Sequence, residues 1–395
     1  MDTSTLLSDR ARSIDASGIR RVFELAAGLR DPINLSIGQP DFQVPHALKK
    51  AAIDAINHDQ NGYTLTQGSP ALRERIAAHL KHDVGWSCSL KPGDGPGVMV
   101  TSGTSGALHL AFMSLLSPGD EVVIPDPYFV SYPELATMCG AKAVLCDTYP
   151  DFRITAERVE PLLTARTKAV LYCSPSNPAG VALSADECRD LLELCRSRGV
   201  LLIADEIYDE FAFREARTQP AAGDPHHLRC PSPARFQGSE NDVLLVRGFG
   251  KTYGCTGWRL GYAAGPAPVL GAMTKLQQYT FVCAPSPLQA SAIAAFDTDM
   301  RTTVAAFETR RSLVVGKLSP VTDLVTPDGA FYAFVRVPER LGMTASAFFE
   351  KCLEHNVLMI PGHVFSKRDT HFRISFATPD DKLKRGLEVL AGLMG

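Results

Sequence analysis

The chain has 395 residues, 45% of them hydrophobic and 21% charged, an ordinary globular composition that excludes a disordered or fibrous chain. At about 150 residues per domain the length predicts two or three domains. Forty Lys and Arg against 43 Asp and Glu leave a net charge of −3, so nothing global draws the chain to nucleic acid or to an anionic membrane.

The N-terminal stretch MDTSTLLSDRARSIDASGIRR offers only Leu6-Leu7 as an apolar pair, with acidic residues around it. That is too short for a signal-peptide core, and no run approaches the 18 apolar residues of a membrane span. A cytoplasmic location is expected. The ten cysteines are scattered, no two form a C-x-x-C pair, and none clusters with His at zinc spacing. Buried, reduced thiols and no metal site are expected.

Residues 1–45 read as an irregular arm packing on a smaller domain. Residues 46–290 read as a large domain, and from about 97 short β-branched runs alternate with helical patterns. Strands are predicted at 97–101, 121–124, 142–146, 168–173, 200–204 and 242–247. Helical patterns at 107–116 and 184–198 lie between them, the second opening on a capping box, Ser184 with Glu187. Apolar strands alternating with helices predict an α/β fold with a mainly parallel sheet covered on both faces. Residues 218–241, rich in Pro, Gly and polar groups, read as a long surface loop. Residues 291–395 read as a smaller α+β domain. Its elements are a helix near 300–318, strands at 331–337, 357–360 and 371–378, and a helix near 345–354. The last helix is predicted to start with Thr378 as cap and Pro379 at its first position.

In such sheets ligands sit beyond the carboxyl ends of the strands, so the residues just after each strand are the ones to read for chemistry. Ser102-Gly103-Thr104-Ser105-Gly106 suits an anion at a helix start, and equally a plain capped helix. Tyr128 and Phe129 could stack on a planar ring, although core filling is the commoner use of such a pair. Asn177 is bracketed by Pro175 and Pro178 in a rigid turn. Asp205 ends a fully apolar strand and needs a partner, either a neighbouring Arg or a cationic ligand. Lys251 sits among glycines in GFGKTYG, with room around its amine. Desolvation or a nearby cation would make that amine a nucleophile. The same segment misses a dinucleotide fingerprint, because Tyr253 stands where the third glycine belongs.

SPSNPAG, ADEIY and the Gly-rich Lys segment with Arg259, in this order, resemble the class I aminotransferases, fold-type I enzymes dependent on pyridoxal phosphate. NLSIGQPDF (34–42), GYTLTQGSPALR (62–73), DGAFYAF (328–334) and HFRISFAT (371–378) extend the resemblance from about residue 20 to the C-terminus. It implies that Lys251 holds pyridoxal 5'-phosphate as a Schiff base and moves the substrate proton, and that Asp205 pairs with the pyridine nitrogen. Asn177 and Tyr208 would bond the ring hydroxyl, and Phe129, rather than Tyr128, would stack on the ring. Gly103, Thr104, Ser105 and Arg259 would hold the phosphate. Tyr63 matches a residue that reaches the phosphate from a neighbouring subunit, so a homodimer with shared sites is expected. Arg373, with Gly38 and Asn177, would grip the substrate carboxylate. In HFRISFAT, Arg373 and Ser375 lie on one strand face and Phe372, Ile374 and Phe376 on the other.

Gly248 and Gly250 stand where the family commonly has Ser, which puts one phosphate contact in question. The implied function is transfer of an amino group from an L-amino acid to a 2-oxo acid in two half-reactions. Small-molecule amino acid and 2-oxo acid substrates are the expected partners. Ser105 replaces a Lys found in some aspartate-preferring relatives, which tilts the expected donor toward neutral or aromatic amino acids. A C–S β-lyase on the same scaffold is the alternative.

Overall fold

The structure is a computed structural model that describes residues 3–16, 18–26, 29–91 and 93–395. The arm contributes the helix Gly18–Ala26 and a short strand, β1 (Ile33–Asn34), followed by the helices His46–Asn57 and Pro70–Asp83. A seven-stranded sheet then forms from β2 (Gly97–Ser102), β3 (Glu121–Asp126), β4 (Lys142–Asp147), β5 (Thr167–Cys173), β6 (Leu201–Asp205), β9 (Val243–Gly248) and β10 (Leu260–Gly265). Its order is β2-β10-β9-β6-β5-β3-β4. All pairings are parallel except those of β10, which runs against both of its neighbours.

The six predicted strands are all present. Their residues alternate between two cores, which is why they read as continuous apolar runs. Val100, Val123, Val170 and Leu202 pack with Leu72, Ile76, Leu191 and Cys195 of the helices on one face. Met99, Ile124, Leu171 and Ile203 pack with Leu108, Leu110 and Phe112 on the other. The helix Ala185–Arg198 forms as expected, with both capping-box bonds made and Gly199 ending it in the left-handed conformation.

Strand β10 was not predicted. Its sequence LGYAAG is too poor in large side chains to stand out beside the glycines before it. Packing accounts for that composition: a Cβ on Gly261 would come within 2.8 Å of the backbone of Gly103 and Thr104. A glycine there lets the start of the helix Gly103–Leu115 lie directly on the strand.

Residues 218–241 are not a surface loop. They form an antiparallel hairpin, β7 (Gln219–Ala221) with β8 (Asp224–Arg229), and two 3-10 turns. The exposed, Pro- and His-rich part of β8 disguises the segment, but Gln219, Ala221, Cys230, Ser232 and Ala234 are buried. The anchor is electrostatic. Asp83, 1% exposed, accepts from Arg229 at 3.1 Å, Arg235 at 2.8 and 3.0 Å and Arg247 at 2.6 Å. Arg247 also pairs with Glu206 at 2.8 Å and Asp209 at 3.1 Å. Glu210 pairs with Arg229.

A second, three-stranded antiparallel sheet has the order β11-β14-β13: β11 (Tyr332–Arg336), β14 (His371–Ser375) and β13 (Ile360–Pro361). The predicted single strand 357–360 is divided at Met359. Its first half, β12 (Val357–Leu358), pairs with β1, while its second half pairs with β14. The arm thus joins this smaller unit through β1. The predicted helix 345–354 forms over Ala345–Glu354. The last helix starts later than predicted, at Asp380: Pro379 is the extended cap residue and Thr378 makes no capping bond. Asp380 and Asp381 supply the favourable negative charge to its first turn instead. The expected boundary after residue 290 falls inside the helix Ser286–Ala295, which packs on His46–Asn57.

All ten cysteines are free, seven of them buried. Among the described residues no helix is long and apolar enough to cross a membrane, and no group of His, Cys, Asp or Glu could hold a metal ion.

Candidate active site

A cavity of about 480 Å³ opens beyond the carboxyl ends of β2, β5, β6 and β9, where a mainly parallel sheet offers its ligand site. Its wall includes Gly38, Gly103, Thr104, Ser105, Phe129, Asn177, Asp205, Tyr208, Lys251, Arg259 and Arg373. Every sequence-predicted site residue except Tyr63 and Tyr128 therefore meets in one place.

Asp205 is the last residue of β6 and 3% exposed. Its Oδ2 accepts a 2.8 Å hydrogen bond from the Tyr132 hydroxyl, and its Oδ1 has only the Ile207 N–H, at 3.4 Å. Burial pushes this carboxyl up to about 6, against the hydrogen bonds and the neighbouring Lys251. Lys251 follows β9 and donates to the Gly38 carbonyl. Burial, reinforced by the positive charges of Arg373 and Arg259, brings its amine down to about 8. The two shifts run in opposite directions and bring an acid and a base toward neutral pH in one buried cavity.

Arg373 is fully buried, sandwiched between the rings of Tyr332 at 4.5 Å and Phe365 at 4.7 Å. Its Nη1 donates to Asn177 Oδ1 at 2.9 Å and its Nη2 to the Ser36 carbonyl at 2.8 Å. Its Nε has no partner. The expected strand faces are there, but both are covered: the Arg373 face lines the cavity rather than meeting solvent. Tyr208 and Tyr332 share a hydrogen bond at 3.0 Å, which ties the Asp205 turn to the Arg373 strand.

At the other end, Gly103 opens its helix at φ +67°, a conformation that favours glycine. Ser102 precedes it and makes no capping bond with its side chain, so first-turn N–H groups are left for a ligand. The Arg259 guanidinium lies against this turn; a Cβ on Gly103 would come within 2.6 Å of Nη2. The space a serine would need at position 248 is taken, since a Cβ there would meet Ile207 at 2.9 Å and Thr104 at 3.0 Å. The Thr104 methyl faces that corner.

Phe129 lines the cavity and meets Tyr132 edge-on at 5.6 Å. Tyr128 stays outside, its N–H bonded to the Phe365 carbonyl. Tyr63 is 86% exposed and does not line this chain's cavity. Sequence reasoning missed Tyr132, Tyr332, Phe365 and Ser36. Tyr132 lies three residues beyond Phe129, across a turn in which its N–H bonds the Phe129 carbonyl, and the two rings meet edge-on. Tyr332 was visible only as part of an aromatic run.

Residues 30–390 match the family model described as aminotransferase class I and II. The chain belongs to this family. An aspartate aminotransferase of Rhizobium meliloti is 36% identical over 97% of this chain and 95% of its own length. A probable N-acetyl-LL-diaminopimelate aminotransferase of Bacillus subtilis is 35% identical over 98% of this chain and 95% of its own. Among solved structures, an aspartate aminotransferase from Thermus thermophilus with maleate superposes with a TM-score of 0.88. It is 30% identical and covers 98% of this chain and 99% of that one. The sequence-based assignment to the aminotransferases and to their α/β fold holds, and the chain is a transaminase. These relatives are named for different donors, so family membership leaves the substrate open.

Proposed function

We propose that this aminotransferase works with pyridoxal 5'-phosphate bound in the cavity, passing an amino group from an L-amino acid to a 2-oxo acid. The observation that carries the reading is the buried, unpaired couple Asp205 and Lys251, with Arg373 on the far wall. The residues fit the group. The open helix turn with Arg259 suits a phosphate. The Phe129 ring suits an aromatic face, and the under-bonded Asp205 Oδ1 suits a protonated ring nitrogen. When bound, the cofactor supplies a carbonyl that takes up an amine and a ring that draws electrons from the adjacent α-carbon.

The chain's own residues do the rest. Lys251 would hold the cofactor through its amine, and its Nζ, when free, would take up and return the substrate's α-carbon proton. An amine lowered to about 8 has enough neutral form near neutral pH for this work. Asp205, oriented by the Tyr132 hydroxyl, would keep a proton on the ring nitrogen. Asn177 and Tyr208 would hydrogen-bond the ring hydroxyl. Arg373, held in place by its two rings and two acceptors, keeps N–H groups for the substrate α-carboxylate. The exposed Tyr63 would reach the phosphate of a second copy, and a homodimer is the working unit this reading calls for.

The test is borohydride reduction of the protein loaded with pyridoxal phosphate, followed by peptide mass mapping. A phosphopyridoxyl group fixed on Lys251 is expected. A stable label on another lysine, or none, would overturn the reading.

A further inference from the structure

Tyr63 is 86% exposed, yet the chain just after it is firmly held. Residues 64–69 run onto the edge of the large sheet, where the Val100 N–H of β2 donates to the Gln67 carbonyl at 2.9 Å. Two glutamines from distant helices hold the rest. Gln289, on the helix Ser286–Ala295 and 1% exposed, accepts from the Ser69 N–H at 2.7 Å. Its Nε2 donates to Thr64 Oγ1 at 3.1 Å and to the Ala284 carbonyl at 2.9 Å. Gln277, on the helix Ala267–Thr280 and fully buried, donates from Nε2 to the Thr66 carbonyl and, at 3.0 Å, to the Val100 carbonyl.

Stability alone does not account for these amides. Both partners of Gln277 are carbonyls, so its NH2 end must face them. Its Oε1 is then left buried with no partner among the described residues, and an unpaired buried oxygen is destabilising. What the arrangement secures is a loop of fixed shape. The helix that carries Gln277 also reaches the open phosphate turn: Phe281, which caps its end, would lie 3.9 Å from a Cβ on Gly106. Loop and turn thus adjoin one helix. A two-fold contact requires this, because each copy must offer the loop and receive it on the same surface. Leu65, Tyr279 and Phe281, on these same elements, are exposed apolar side chains.

We infer that Gln289 and Gln277 are positioning residues for the other subunit's site: they hold residues 64–69 so that Tyr63 is aimed at the phosphate bound by a second copy of this chain. Neither lines its own chain's cavity. Losing either should therefore weaken the neighbour's hold on the cofactor and leave the chain's own hold intact. This inference rests on the proposed role of Tyr63 in a homodimer.

The experiment uses hybrid dimers of two differently tagged chains, isolated through both tags. One chain carries Lys251→Ala, so that a single site turns over, and the quantity read is the pyridoxal phosphate concentration giving half-maximal turnover. In the first hybrid Gln289→Met is on the chain that keeps Lys251; in the second it is on the Lys251→Ala chain. We expect the first to match the hybrid without Gln289→Met. The second should need about tenfold more cofactor, the effect of one lost hydrogen bond to a charged group. Gln277→Met should give the same pattern. If neither glutamine variant folds, Thr64→Val, which removes one acceptor at the loop, should raise the requirement about threefold in the second hybrid alone. A defect in the first hybrid, an equal defect in both, or none in either would overturn the inference. Tyr63→Phe, placed in the same two hybrids, separates the two levels. An effect of Tyr63→Phe confined to the second hybrid makes those outcomes count against the glutamines alone, whereas no effect there brings down the shared-site reading itself.

Discussion

Two sets of buried charge lie side by side on the same strands and are handled in opposite ways. Glu206 and Arg247 belong to the cluster around Asp83, in which each carboxylate has a guanidinium within about salt-bridge reach. Asp205 immediately precedes Glu206, and Lys251 comes shortly after Arg247, yet these two form no ion pair among the described residues. The consequences are opposite. Three guanidinium groups hold Asp83 well below the usual carboxylate range despite its burial. Burial pushes Asp205 up to about 6. A compensated cluster is framework, because each charge has its counter-charge in the fold. An uncompensated one costs stability until a ligand supplies the missing partner.

Breaking each set separates them. Lys251→Ala should abolish multiple turnover, since it removes the covalent anchor and the proton carrier together; turnover in the absence of added amines would refute the assignment. Asp205→Ala should slow turnover by about a thousandfold, equivalent to about 4 kcal/mol of barrier, and a loss of only tenfold would place the ring-nitrogen partner elsewhere. On the framework side, Arg247→Met leaves Asp83, Glu206 and Asp209 short of a cation. Urea unfolding of the cofactor-free protein should then show a loss of about 3–5 kcal/mol.

Asp205→Asn should do the reverse in the cofactor-free protein, with a pH signature. The folded state holds the Asp205 proton more tightly than the unfolded state, about 6 against 3.8. The stability this contributes is present below 3.8 and lost as pH rises through 6. Asn does not titrate, so the variant should gain on wild type between pH 4 and pH 6 and keep that lead at pH 7. Parallel unfolding curves at pH 4.5 and 7 check it. The smallest effects sharpen the contrast. Tyr132→Phe should cost about tenfold in kcat, or about 1.4 kcal/mol, by freeing Asp205 Oδ2 of its only short hydrogen bond. Ser184→Ala, which touches no member of either cluster, should cost about 1 kcal/mol of stability through the lost cap and leave turnover alone.

The same division explains what the residues revealed in advance. Strands buried on both faces announced themselves through runs such as VLLIA, and the capping box at Ser184 marked its helix. Lys251, Asp205 and Arg373 stood out because charge in apolar or glycine-rich surroundings is anomalous locally. Arg247 and Asp83 are equally buried, yet their partners lie up to 164 residues away, and no local pattern reports such a pairing. The hairpin carrying Arg229 was misread for that reason. Tyr132 and Tyr332 were passed over because an aromatic residue is unremarkable in a core; only the hydroxyl partners distinguish them. Strand β10 was hidden by the small residues that its close contact with the Gly103 turn demands.

The reversed direction of β10 has one more consequence. Because it runs back toward the sheet's base, its first residue, not its last, stands at the rim where its neighbours end. The chain leaves β9, presents Lys251, and eight positions later delivers Arg259 to the same rim, with no crossover helix between. The group that would bond the coenzyme and the group that would hold its anionic tail thus ride on one short tether. A distortion there should disturb both ends of the coenzyme together, and loosening of one contact should be felt by the other as a common motion.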